Sequence, residues 1–502
     1  MAAPYPNDPL LRGPFEPIRF EADCANLVVD GEWPADLAGA LYRIGPNPQF
    51  APRGRYNPLQ GDGMVHAFFI DRGRVAYRNR WVRTRQWTLE RAAGRALFAT
   101  SGDPRDADPS IAGQPTDGVA NTHIIAHAGR LLALEEGHGP IEIDPLSLDT
   151  VGAYTFDGTL SDQRSDERSD RRSDQRSDQR SDQRGEKVGG KPAGAASRNM
   201  TAHPKIDPDT GEMLFFANFP SRKFDGALAF YVADANGAIV RSTTIAGPFP
   251  ALVHDFAITR AHVVFVVCPV TLSLERLRRG APPIAWEPEL GTRVGVFPRN
   301  APEKIRWHRG DACMAWHTLN AFDDGNRVVV DLCRQDAPAF PAADGTPNRE
   351  PSLRQYLERW TLGPATDTVA TARLSDIVCE YPRIDERRTG LAYRYGYFAA
   401  GGGPGTGDPC QRAIARFDHA TGAMQTCHLG ARCAVSEPVF VARRDSTVEG
   451  DGYLLATIYD EDRNASRLAV FDAYDVTIGP IACAYLDHRI PMGFHGSWCG
   501  MA

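Results

Sequence analysis

Four of the thirteen histidines in this 502-residue chain stand apart by their setting. His203 lies in Thr201-Ala202-His203-Pro204-Lys205, and His254 in the apolar, β-prone stretch 250–259 beside Asp255. His317 lies in Met314-Ala315-Trp316-His317-Thr318-Leu319, and His495 in Gly493-Phe494-His495-Gly496-Ser497-Trp498. An imidazole or a charge in such surroundings must be paired or bound to something. The plainer reading is a core histidine satisfied by a hydrogen bond. The sharper one is metal ligation, because four neutral imidazoles suit iron, copper, nickel or zinc. The gaps of 51, 63 and 178 residues are far too wide for a helical or paired-cysteine metal motif. They fit ligands lent by different blades to the axis of a radial fold. A first shell without carboxylates needs outer carboxylates to hold its rings. Glu136, Glu380 and Glu437, each in a turn after an apolar strand, are the candidates.

The elements that would position these groups read as many short strands. Gly and Pro are frequent, at 47 and 38, and 42% of residues are hydrophobic. Residues 63–70 and 75–84 read as strands joined by the turn Asp71-Arg72-Gly73, a hairpin. Residues 87–99 are the best short helix, and 250–259 reads as a buried strand. Strand, tight turn and strand recur near 122–134, 205–218, 227–244, 257–266, 326–332, 413–428 and 452–472. This is the pattern of a β-propeller or of another all-β assembly. Asp62 between two glycines resembles a phosphate turn only weakly, lacking the Lys and Ser/Thr.

Residues 161–184 are six Ser-Asp-x-Arg tetrapeptides with no apolar side chain. Such a segment builds no core, so 159–198 is expected to be a disordered low-complexity insert within one domain spanning 1–502. A neutral, monotonous insert costs little in a surface loop. The net charge of -7 argues against a nucleic-acid partner. Ten cysteines without a CxxC pair, and no secretory leader, point to free thiols in the cytoplasm. No window reaches the roughly 18 apolar residues of a membrane span, which leaves room for peripheral membrane contact only.

The chain resembles the carotenoid cleavage oxygenase family, which includes lignostilbene dioxygenases and isoeugenol-type monooxygenases. The likeness rests on Gly61-Asp62-Gly63-Met64, residues 79–84, 131–137 and 201–208, His254-Asp255-Phe256, Glu380-Tyr381-Pro382-Arg383-Ile384, Ser436-Glu437-Pro438-Val439-Phe440 and 493–498. It covers nearly the whole chain outside 159–198. It implies an all-β, seven-bladed β-propeller with a dome of loops and short helices over an axial iron centre. It implies one Fe(II) per chain held by His203, His254, His317 and His495. Glu136, Glu380 and Glu437 would brace the rings, the first histidine having no glutamate partner. Dioxygen would be the co-substrate, and a C=C double bond would be split into two carbonyl products.

In the phenol-cleaving members of that family a pocket lysine and tyrosine grip the phenolic oxygen. Their positions fall at Glu135 and near Ser101 in this chain, and Glu135 would repel a phenolate. This departure favours a carotenoid or apocarotenoid over a stilbene or phenylpropene, the alternative aryl-alkene substrate. His66, His123, His127 and His138 are expected to be surface or core residues. Residues 273–288 look like dome or entrance material. A propeller acting as a pure binding module, or a double-bond isomerase, is the competing class; the isomerase product would keep the substrate's mass. Deleting residues 161–184 is expected to leave metal content and melting temperature unchanged. Metal counting and calorimetry on the deleted chain check this.

Overall fold

The computed structural model describes residues 3–101, 104–160, 199–220, 224–349, 351–401 and 410–500. The Ser-Asp-x-Arg repeats, and 161–198 as a whole, lie outside the described residues. Thr159 and Leu160 belong to the folded body, with Leu160 buried beside Phe156.

Seven blades of antiparallel strands circle one axis, and each begins with the strand nearest that axis. Blade one runs Gly496–Gly500, Gly39–Pro46, Gly63–Asp71 and Arg74–Trp81. Blade two runs His123–His127, Arg130–Leu134, Ile141–Ile143 and Thr150–Ala153. Blade three runs Lys205–Ile206, Met213–Asn218, Leu228–Ala233 and Ile239–Ile245. Blade four runs Phe256–Ile258, His262–Val267, Thr292–Pro298 and Arg306–Gly310. Blades five and six form one seven-stranded sheet from Met314–Asp324 to Ala423–His428. They share the long strand Ala370–Arg383, which pairs with Ser352–Leu362 through its first part and with Tyr395–Ala400 through its last. Blade seven packs Cys433–Val435 and Val439–Ala442 on Gly452–Asp460, followed by Ala465–Asp472 and Pro480–Tyr485.

The ring closes by crossing the ends of the chain. The C-terminal strand Gly496–Gly500 pairs with Gly39–Pro46, and Val28–Gly31 adds an outer edge to blade seven. Pairing of early with late strands holds the circle shut without a covalent link.

Burial follows from blade packing. A central strand is sandwiched between neighbouring blades on both faces, so Leu228–Ala233 is buried at every position. An outer strand keeps the period of two, as in Arg74–Trp81, where buried and less buried residues alternate. Phe216, Phe230, Phe256, Phe265 and Phe297 fill the seam between blades three and four. Phe256 sits two residues after His254, so this seam anchors the backbone carrying that histidine. Emptying such an aromatic site costs about 3–5 kcal/mol.

The hairpin at Asp71-Arg72-Gly73 forms with Asp71 opposite Arg74. The helix covers Arg85–Ala93 rather than 87–99. Thr84 caps its start by accepting from Trp87 N–H, and Gly94, at φ 68°, ends it in the left-handed conformation. The stretch 250–259 is strand only over Phe256–Ile258. The residues before it form the irregular approach that carries His254 to the axis. The ribbon of Val270–Leu272 with Ile284–Trp286, and the helix Leu274–Arg278, rise beside that approach as dome elements. Asp62 is a buried brace that accepts from Gln49 N–H at 3.0 Å. Burial, together with the neighbouring Glu90, pushes its carboxyl up to about 8.

Gly45 touches the backbone of Gly493, the segment leading into His495, and a Cβ there would collide with it. Ile44 N–H donates to His495 O at 3.1 Å on the same seam. Gly45→Ala is therefore expected to lose about 1–3 kcal/mol of stability and to lower metal content. Denaturant titration and metal counting check this.

Candidate metal centre

Each blade brings one polar group toward the axis. His203 stands two residues before Lys205–Ile206, and His254 two residues before Phe256–Ile258. His317 lies inside Met314–Asp324, and His495 immediately precedes Gly496–Gly500. Glu380 comes from the last part of Ala370–Arg383, where a bulge turns it inward and Tyr381 takes a φ of 54°. Glu437 sits between the two short strands of blade seven, and Glu136 follows Arg130–Leu134 in blade two.

The four predicted histidines converge. His203 Nε2 is 3.1 Å from His254 Nε2, which is 3.3 Å from His317 Nε2. The ring-nitrogen atoms of His203, His317 and His495 lie within 4.8 Å of one another. The ring centroids of His203 and His495 are 4.6 Å apart, and those of His317 and His495 4.7 Å. All four side chains are buried.

The three predicted glutamates each meet a different ring. His317 Nδ1 is 2.7 Å from Glu380 Oε2, and His495 Nδ1 is 2.9 Å from Glu437 Oε1. Glu136 touches His254 Nδ1 as an ion-pair contact rather than an aligned hydrogen bond. Among the described residues His203 has no carboxylate on its ring. An ionised carboxylate only accepts, so each braced ring carries its proton on Nδ1 and turns a bare Nε2 lone pair inward.

This disposition fits a cation. Two Nε2 lone pairs 3.1 Å apart repel unless a proton or a metal ion lies between them. Burial, and then the neighbouring rings, push His203 well below its usual range. Burial likewise lowers His495 to about 4 against the opposing pull of Glu437. Burial lowers His317 too, but the charge and hydrogen bond of Glu380, with Asp255 and Glu437, together outweigh it and raise the group. A divalent ion among these nitrogens would relieve the repulsion.

A further layer holds the braces. Burial raises the Glu437 carboxyl, but Arg383 and His495 outweigh it and keep the group ionised. Arg383 lies 3.3 Å from Glu437 Oε2 and donates to Gly496 O at 3.0 Å. Asp255 ties three histidine segments together. It accepts from Thr318 N–H and Oγ1–H, both at 2.8 Å, and from Phe256 N–H at 2.7 Å. It also pairs with Lys205 at 2.8 Å. Sequence reasoning marked Asp255 as a charge in an apolar run but assigned it no partner. It passed over Arg383, which stands inside a quoted motif, and set His123 aside. His123 packs against His203 and His495, with ring centroids 5.7 and 5.3 Å away. His66 pairs with Tyr77, His127 with Gly211 O, and His138 with Glu135, so these three stay outside the cluster.

One space reaches the centre and a second lies among the dome elements. One is a cavity of about 200 Å³ that reaches His203, His317 and His495 and runs down the propeller axis. The other is a cleft of about 660 Å³ among the dome elements, walled by Phe224, Phe249, Pro250, Leu272 and Leu290. Trp316 stands edge-on to His254 at 5.0 Å and packs on Phe340. No helix among the described residues is long and apolar enough to cross a membrane.

Residues 15–500 match the sequence profile of the family described as "Retinal pigment epithelial membrane protein". The chain is 34% identical to an isoeugenol monooxygenase of Pseudomonas nitroreducens, with 98% of each covered. A solved lignostilbene dioxygenase of Pseudomonas brassicacearum superposes with a TM-score of 0.87 at 31% identity, covering 100% of both chains. A solved apocarotenoid oxygenase variant of Synechocystis superposes at 0.81 with 27% identity, covering 99% of both.

Replacing Glu380 or Glu437 by Gln removes a charged acceptor from a buried Nδ1–H. Each change is expected to weaken Fe(II) or Co(II) affinity by about 10–100-fold, as losing an outer partner does elsewhere. Glu136→Gln is expected to cost less, since its contact is poorly aligned. Metal titrations of the three variants check the order.

Proposed function

The chain belongs to this superfamily of carotenoid cleavage oxygenases and their relatives, and on that premise we propose that it is an Fe(II)-dependent oxygenase cleaving the side-chain double bond of an aryl-alkene, a stilbene or a phenylpropene, into two carbonyl fragments. The observation that carries the chemistry is the convergence of four imidazoles, three of them held through Nδ1 by carboxylates. His203, His254, His317 and His495 would hold the ion. Glu136, Glu380 and Glu437 would fix their rings. When bound, Fe(II) supplies the electron chemistry that lets dioxygen attack an electron-rich alkene.

The protein's own contribution is placement and dryness. The braces keep the Nδ1 of His254, His317 and His495 protonated, so none of these three rings turns its lone pair away from the centre. Asp255 fixes the spacing between the segments of His203, His254 and His317. Trp316 and Phe340 offer aromatic faces beside His254, suited to hold a flat substrate and keep water out.

The substrate preference departs from the carotenoid reading of the sequence. What supports the change is the ranking of relatives: identity and structural overlap are higher for the aryl-alkene oxygenases than for the apocarotenoid oxygenase. The argument from Glu135 also weakens physically. Its carboxylate is turned against His138 and packed by Gly118, so it is not an unpaired charge facing a phenolate. Ser101 is likewise engaged, donating to Asp106 at 2.5 Å.

The test is anaerobic loading with Fe(II), then incubation in air with isoeugenol, 4-hydroxystilbene and an apocarotenal, separately. Paired aldehydes from the aryl-alkenes are expected, by product mass. Fragments from the apocarotenal alone would restore the polyene reading, and a product of unchanged mass would indicate an isomerase.

A further inference from the structure

The axial cavity has a chemistry different from the dome cleft. Its inner end is made by His203, His317 and His495. Its outer end is made by Ala126, Ile206 and Glu386, all exposed, so it opens on the face opposite the dome. At roughly 30 Å³ per water, its 200 Å³ is about the space of a divalent ion inside its six waters.

Its walls favour a cation. Three carboxylates, Asp255, Glu386 and Glu437, face two cations, Lys205 and Arg383. Each cation is already fastened to a carboxylate: Lys205 to Asp255 at 2.8 Å, Arg383 to Glu386 and, at 3.3 Å, to Glu437. Between this wall and the histidine cluster stands His123. Its Nδ1 lies 2.7 Å from Ala202 O. A carbonyl only accepts, so the proton is on Nδ1 and Nε2 carries a lone pair. Among the described residues nothing satisfies that Nε2. In the dome cleft, by contrast, the carboxylates Glu275 and Glu287 are matched by Arg276 and Arg278, with Arg276 and Glu287 3.0 Å apart, so its walls carry no net negative charge. A hydrated cation entering there meets as many positive as negative side chains and gains no net attraction.

The geometry points to the axial cavity as the path by which a hydrated divalent cation reaches the four histidines, with the Nε2 of His123 receiving it on the way. Substrate and metal then use opposite faces of the propeller. This inference rests on the metal-centre reading above. Its own content is the route and the role of His123.

The experiment compares the metal-free full-length chain with Ala126→Trp, Thr389→Trp and His123→Leu. Ala126 and Thr389 line the cavity from different elements, so a folding failure in one leaves the other. The probe is Co(II) chloride alone. Uptake is followed by cobalt absorption in stopped flow, release by transfer to a chelator, and stoichiometry by metal counting. Each tryptophan variant is expected to bind one ion per chain with unchanged equilibrium affinity, while uptake and release both slow by about tenfold, since a barrier rises and neither end state changes. His123→Leu is expected to slow both in the same way. Uptake at the unaltered rate in both tryptophan variants would overturn the path. Weaker binding with unaltered uptake in His123→Leu would overturn its receiving role. Failure of the unaltered chain to bind cobalt would overturn the metal centre itself, and with it the proposed function.

Discussion

Four buried imidazoles with their lone pairs aimed at one point repel each other, and the rest of this molecule is arranged to keep them there. Two of those nitrogens stand 3.1 Å apart. Each ring could relieve the repulsion by turning. Three are prevented by carboxylates on their far nitrogens, and those carboxylates are fixed in turn by Arg383, by backbone amides and by blade packing. Stability contributed by the folded seams, such as the phenylalanine cluster behind His254, offsets the unfavourable geometry at the axis. A cation then gains from an arrangement already made.

The propeller suits this task because it brings strand tops together from positions far apart in the chain. His203 and His495 are separated by 292 residues, yet their rings are 4.6 Å apart centre to centre. The same distance explains what sequence could and could not show. The four histidines and three glutamates were legible because each sits in a distinctive local motif. The matching of glutamate to ring was not, since it depends on which blades adjoin. Asp255 was visible as a misplaced charge, but its partners Lys205 and Thr318 come from other blades. His123 gave no local signal that it would pack on the cluster.

The fold was legible in kind and soft in detail for a related reason. Central strands buried on both faces lose the alternation that marks a strand, as in Leu228–Ala233. Only outer strands such as Arg74–Trp81 keep it. The helix was drawn past its end because Gly94 was passed over as a stop, and 250–259 was drawn as all strand because its apolar run looks continuous. Half of that run is the irregular lead to His254, where regular pairing would have pointed the imidazole into a blade. Glu135 was read in the same manner, by residue type without its neighbour His138.

The shared strand Ala370–Arg383 gives blades five and six a mechanical identity of their own. His317 and its brace Glu380 belong to one continuous sheet, whereas Glu136 reaches His254 from blade two to blade four, and Glu437 reaches His495 from blade seven to blade one. When blades breathe against each other, the His317–Glu380 pair rides on a single beam and keeps its length. The other two braces span joints and stretch. The centre therefore has one corner built within a single hydrogen-bonded sheet and two that bridge separate sheets, so a shift of one blade against the next is felt at His254 and His495 before it is felt at His317.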